Sequence, residues 1–230
     1  MRVALAHAMA QSKAPTAIQS FLQRPEYPCV GAKSALKQGK ITVHSYGGLD
    51  DGAHDERILA DIDAFIALYH QRGSLFQSLL LEFEGAGAYS ELEFEQALWR
   101  RLQALHELDA RRSRRDIRVG TDPDAADFSF SLGGEAFFII GMHPGASRLS
   151  RRYAVPALVM NLHDQFERLR ADGLYERMRD VVRDRDEAFC GTPNPALGNF
   201  GELSEARQYS GRDTPADWKC PFRPRQGETQ

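Results

Sequence analysis

Residues 135–166, EAFFIIGMHPGASRLSRRYAVPALVMNLHDQF, constrain the fold more than any other stretch of the chain. Two apolar runs, 136–142 and 155–162, each deliver a histidine at the C-terminal end, His143 and His163. A loop rich in Gly, Ser and Arg separates them. Short apolar runs bounded by turn residues read as buried strands. Polar residues at the exits of such strands are a common way to build a rigid site. The segment is therefore predicted to form the floor and one wall of a cofactor or substrate pocket.

The flanking sequence supplies the rest of a sheet and its helices. Strands are predicted at 40–46 (KITVHSY), 77–83 (QSLLLEF), 128–131, 135–142 and 157–161. Leu132-Gly133-Gly134 is a hairpin signal between two of them. Ile58, Leu59, Ile62, Phe65, Ile66 and Tyr69 recur at helical spacing over 55–72, and Gly73 ends that helix. Ser90 with Glu93 gives a capping box for a helix over 91–110. Asn161 is a candidate N-cap for a helix over 162–171. A helix over 174–189 alternates Arg and Asp, the pattern of an exposed, salt-bridged face. Toward the start, 16–23 reads as a short helix, 27–32 as extended around Pro28, 33–38 as a helical turn and 47–52 as a loop.

From Gly191 onward the chain is rich in Pro and Gly yet carries Phe200, Tyr209, Trp218 and Phe222. Disordered segments are poor in aromatic residues, so this one is expected to wrap over the domain. Strand and helix do not alternate strictly, and the hairpin requires antiparallel pairing. The expected class is α+β: a single domain with a mixed or antiparallel central sheet covered by helices. Its expected limits are 27–222, with a partly disordered N-terminal extension, 1–26, and a disordered tail, 223–230.

Charge and cysteine content exclude several functions. A net charge of −3 gives no general case for nucleic acid as partner. The basic run 111–118 (RRSRRDIR) reads as a solvated helix end and loop. No window approaches the ~18 consecutive apolar residues of a membrane span. The first residues are too Ala-rich, and too interrupted by His7, for a signal peptide, so a cytoplasmic protein is expected. Three cysteines, Cys29, Cys190 and Cys220, fit neither a disulfide framework nor a zinc spacing.

Several residues could carry chemistry. His143 is fixed between a strand and Pro144, which suits a histidine that holds a metal or moves a proton. His163 lies at a positive helix start that disfavours imidazolium, and neutral imidazole is the metal-binding form. Cys29 and Cys220 stand in mirrored contexts, Pro28-Cys29 and Cys220-Pro221; a thiolate ligand would need a polarised setting, and buried cysteines are usually core. Arg148, Arg151 and Arg152 in the loop, and Arg207 and Arg212 in the tail, could bind carboxylates.

Tyr27-Pro28-Cys29 and Cys220-Pro221-Phe222, taken with Gly141-Met142-His143-Pro144, Ser147-Arg148, Pro156-Ala157-Leu158, Asn161-Leu162-His163-Asp164-Gln165-Phe166, Asn194-Pro195, SEARQYSGR at 204–212 and Trp218, resemble the YqcI/YcgG family. The first of these departs from the family's Phe-Pro-Cys by Tyr27. The likeness spans nearly the whole chain. It implies a haem-dependent N-oxygenase that hydroxylates a guanidino or amine nitrogen of an arginine-like small molecule in specialised metabolism, fed by an external electron donor. The implied cofactor is haem b, held non-covalently because no Cys-x-x-Cys-His is present. His143, His163 or, third, Cys29 would ligate the iron. The faces of 137–140, Val159 and Phe166 would form the cleft, and Arg148, Arg207 or Arg212 would meet the propionates. Asp164, Glu202 and Glu205 are the carboxylates available to a guanidinium. Two other readings stay open: a haem- or small-molecule-binding protein without oxygenase activity, and a hydrolase or transferase using Cys29.

Overall fold

A computed structural model describes residues 15–85, 89–195, 198 and 201–225. The expectations for the first 14 residues, for Phe200 and for the last five lie outside the described residues. Five strands, β1 (Ile41–Gly48), β2 (Ser78–Glu84), β3 (Phe130–Leu132), β4 (Glu135–Met142) and β5 (Ala157–Leu162), form one sheet in the order β1-β2-β5-β4-β3. Only β1 and β2 run parallel; every other neighbouring pair is antiparallel. The helices are α1 (Ala17–Leu22), α2 (Val30–Lys37), α3 (Asp55–Arg72), α4 (Glu91–Asp109), α5 (His163–Ala171), α6 (Tyr175–Cys190) and α7 (Ala206–Tyr209). This is the α+β single domain with a mixed, helix-covered sheet that the sequence predicts.

Alternation along the strands divides the molecule into two apolar bodies. Leu79, Leu81, Ile139, Leu158, Met160 and Leu162 meet the apolar stripes of α3 and α4 in the larger core. Leu80, Met142 and Ala157 face the other way, toward Ile18, Phe21 and Leu22 of α1 and the rings of Tyr27 and Tyr153. Local signals place the covering helices. Ser90 and Glu93 form the reciprocal capping box at the start of α4, and Gly73 takes a φ of 59° to close α3. Gly133 and Gly134, with φ of 59° and 81°, make the two-residue turn between β3 and β4, where side chains with a Cβ are strained.

The structure departs from the sequence reading at four junctions. α2 starts at Val30, inside the stretch expected to be extended, because Pro28 restricts Tyr27 before it and not the residues after Cys29. β1 runs on through Gly47 and Gly48, expected as loop, with a register shift there. A Cβ on Gly47 would stand 3.0 Å from Asp51 Oδ2 and 3.1 Å from His54 Nε2, so the turn folds back closely over the strand. Asn161 does not cap α5. It belongs to β5, where its Oδ1 accepts from Ser78 Oγ at 2.7 Å. Residues 223–225, expected in a disordered tail, are tied down: Arg223 N donates to Gln103 Oε1 and Arg225 N to His106 Nε2, both at 2.9 Å.

The basic run is the exposed helix end and loop that the sequence predicts, with Arg115 and Asp116 drawn inward. Arg115 donates to the carbonyls of Gly120 and Ser129, and Arg118 pairs with Asp116 and Glu135. The C-terminal aromatic residues do wrap the domain. Tyr209 and Phe222 are buried in the larger core, and Trp218 packs against it.

Candidate functional site

The second face of the sheet is only partly covered, and the gap is a cavity of about 310 Å³ bordered by residues of α2, α5 and α6. That is within the usual range of small-molecule pockets, about 300–1,000 Å³. Strand register builds its floor. Leu80, Val159 and Ile140 are lateral neighbours across β2, β5 and β4. The next row holds Ser78, Asn161 and Phe138, with Phe138 paired to Asn161. Phe166 of α5 meets Phe138 edge to face, centroids 5.8 Å apart.

His163 enters this cavity at the point where β5 becomes α5. Its Nε2 lies 3.8 Å from Glu205 Oε2 and its Nδ1 3.5 Å from Glu167 Oε1. Burial is the main cause that lowers its pKa, with Glu167 opposing, so the ring is neutral at pH 7. Glu205 is itself buried on the cavity wall. Its Oε1 accepts from Ser129 Oγ and Tyr209 Oη, both at 2.5 Å. Burial pushes this carboxyl up to about 7 despite the two hydrogen bonds, which act the other way. The tyrosine is held in turn by the Phe130 amide at 3.1 Å. A neutral imidazole and a carboxyl poised to hold or release a proton near neutral pH thus stand side by side in an apolar setting.

Cys29 also lines the cavity, as the N-cap of α2, its Sγ accepting from the Ala32 amide at 3.3 Å. Burial pushes its thiol up, so it is protonated at neutral pH.

The structure brings Cys29, His163 and Phe166 to one cavity, with Arg151, Glu205, Val159, Phe138 and Ile140, but not His143, Arg148, Arg152, Arg207, Arg212 or Asp164. His143 packs against α4, its ring stacked on Phe94 at 4.3 Å and 18°, and its Nδ1 has no hydrogen-bond partner among the described residues. The expectation that His143 and His163 belong to one site is therefore not met. Arg148 reaches Asp186 at 2.6 Å and the carbonyls of Thr192 and Pro193. Arg207 donates to the carbonyls of Trp218 and Pro215. Arg212 clamps Glu95 of α4 at 2.7 and 3.0 Å. All three fasten irregular chain to the body of the protein. Asp164, one of the candidate carboxylates, binds Tyr69 Oη at 2.7 Å instead.

In place of those arginines, Arg151, Arg170, Arg179 and Arg183 line the cavity. The last two lie on α6, which was expected to be an exposed salt-bridged helix. Met178 and Val182, one turn apart on that helix, line the cavity too and were the available signal. Among the described residues there is no cluster of three or more His, Cys, Asp or Glu side chains able to hold a bare metal ion. No helix among them is long and apolar enough to cross a membrane.

A family model described as the YqcI/YcgG family matches residues 18–223. Neither the curated proteins nor the solved structures give a match.

Proposed function

From the premise that this chain belongs to the YqcI/YcgG family, we propose that it is a haem-dependent N-oxygenase acting on a guanidino or amine nitrogen of an arginine-like small molecule. The observation that carries the reading is the placement of one neutral imidazole, His163, in an apolar cavity walled by Phe138, Phe166, Ile140 and Val159. The residues present fit non-covalent haem b. His163 would ligate the iron through one ring nitrogen while the other faces a carboxylate, Glu167 or Glu205, the usual partner of a metal-bound histidine. Arg151, Arg170, Arg179 and Arg183 are cations lining the cavity that could meet propionates, in place of Arg148, Arg207 and Arg212. Bound haem would supply the activation of oxygen, with electrons from an external donor.

The chain's own part is binding, orientation and proton management. The sheet floor and the Phe138–Phe166 pair give the reacting region an apolar lining. Glu205 Oε2 offers a carboxyl oxygen to a guanidinium or holds a proton beside His163. Its position is fixed by Ser129 and Tyr209.

Absorption spectroscopy of the protein mixed with hemin tests this. The expected result is a Soret band that His163→Ala abolishes or shifts and His143→Ala leaves in place. A protein that stays colourless, or a His163→Ala variant with an unchanged spectrum, overturns the assignment. Soret absorption without turnover of guanidino compounds, given reductant and oxygen, would assign a haem-binding role instead.

A further inference from the structure

Arg151 is 9% exposed and forms part of the wall of the same cavity. Its Nη1 donates to the carbonyls of Gly141 at 3.0 Å and Tyr209 at 3.3 Å, and its Nη2 to Gln208 at 3.1 Å. Gly211, at a φ of 82°, lies against it: a Cβ there would stand 3.4 Å from Arg151 Cγ and 3.5 Å from Cζ. These contacts fix the guanidinium fork in place. They engage Nη1 and Nη2 only, so that among the described residues Nε has no hydrogen-bond partner, and they leave the charge in place.

Among the described residues Arg151 makes no salt bridge. The acid that acts on it, Asp186, is already engaged by Arg148 at 2.6 Å. Tyr27 and Cys29 face the same charge, but burial raises the pKa of both, so both are neutral at pH 7. Burial pulls the Arg151 guanidinium down to about 10, which leaves it a cation at neutral pH. Arg148, Arg151 and Asp186 together therefore keep one positive charge in excess inside the fold. A buried charge with no counter-ion is costly, and the cost is relieved by an anion.

We infer that Arg151 is an anion anchor that holds a carboxylate of the molecule occupying the cavity. A planar guanidinium matches a carboxylate with two parallel hydrogen bonds, and burial strengthens such a contact. The carboxylate belongs either to a free small-molecule ligand or to a haem propionate. Only the second source rests on the haem reading.

Two pairs of probes separate the sources, each pair differing only in the carboxylate. Hexanoate and hexanamide are titrated calorimetrically into the haem-free full-length protein. Hemin and hemin dimethyl ester are titrated by absorption. The expected result is that the wild-type protein prefers the carboxylate in at least one pair by about 10- to 100-fold. Arg151→Gln removes that preference, and Arg151→Lys, which keeps the charge but not the fork, retains part of it. Circular dichroism establishes that each variant is folded; if Arg151→Gln is not, Arg151→Lys decides, with the ratio falling at least threefold.

The responding pair identifies the source. Absence of preference in both pairs for the wild-type protein, or an unchanged ratio in the folded variants, overturns the inference. A protein that binds no hemin but discriminates hexanoate from hexanamide through Arg151 would sink the haem reading and leave this one standing.

Discussion

The Cys29 thiol is a helix cap in an apolar wall, and its burial keeps it protonated. Reaction with alkylating reagents requires the thiolate. Iodoacetamide near neutral pH is therefore expected to label Cys29 in the folded protein far more slowly than after unfolding, as read by peptide mass spectrometry. Rapid labelling of the native protein with loss of activity would instead favour the hydrolase or transferase reading. The two histidines mark how far single residues can be read. Each lies at a strand exit, and the sequence ranks them alike. What separates them is register. Ile139 pairs with Met160, and both face the larger core. Counting by twos, His143 follows Ile139 toward α4, whereas His163 follows Val159 and Asn161 toward the cavity. That pairing is a tertiary fact. The arginines were misjudged for a related reason: Arg148 and Arg207 take most of their partners from the carbonyls of irregular chain, which no periodicity announces.

At the scale of elements, β4 lies close enough to its neighbours that Gly141 has no room for a side chain. A Cβ there would meet Phe94 Cε1 at 2.7 Å, Tyr209 O at 2.8 Å and Leu98 Cδ1 at 2.9 Å, and the Tyr209 atom is backbone. Gly141→Ala is expected to destabilise the protein by about 1–3 kcal/mol, the usual cost of overpacking. Urea unfolding should show this as a lower midpoint with an unchanged slope. A midpoint equal to that of the wild-type protein would mean that α4 and the 209 region can move apart freely. The elements that were legible, α3, α4, β2, β4 and β5, are those whose apolar period coincides with the core they face. α6 was legible in extent but not in role. Its inner face borders a cavity, with arginines beside Met178 and Val182, so its pattern reads as polar on every side.

At the scale of the whole molecule, the C-terminal chain divides its work. Glu205 and Gln208 line the cavity, whereas Trp218 and Phe222 pack into the larger core on the other side of the sheet. The aromatic content foretold the wrapping, but not the division, since composition carries no direction. The far end is fastened by His106, which is buried on α4 edge to face with Phe222, ring centroids 4.9 Å apart, and accepts the Arg225 amide hydrogen at Nε2. That bond requires a neutral ring. Burial lowers the His106 pKa below its ordinary 6.5, helped by Arg115 and Arg225 and opposed by Asp109 and Glu107. A histidine whose folded pKa is depressed adds stability that is present above its unfolded pKa and is lost as the pH falls through the folded one. Thermal stability is therefore expected to decline as the pH falls below 6.5, beyond what carboxylate protonation alone gives. His106→Gln keeps a side-chain oxygen able to accept from the Arg225 amide but has no proton to gain. Melting temperature against pH should be flatter for that variant over the same window, and amide exchange at Arg225 should accelerate on acidification only in the wild-type protein. Parallel curves for the two proteins would show that the fastening of residues 223–225 does not depend on the charge of His106.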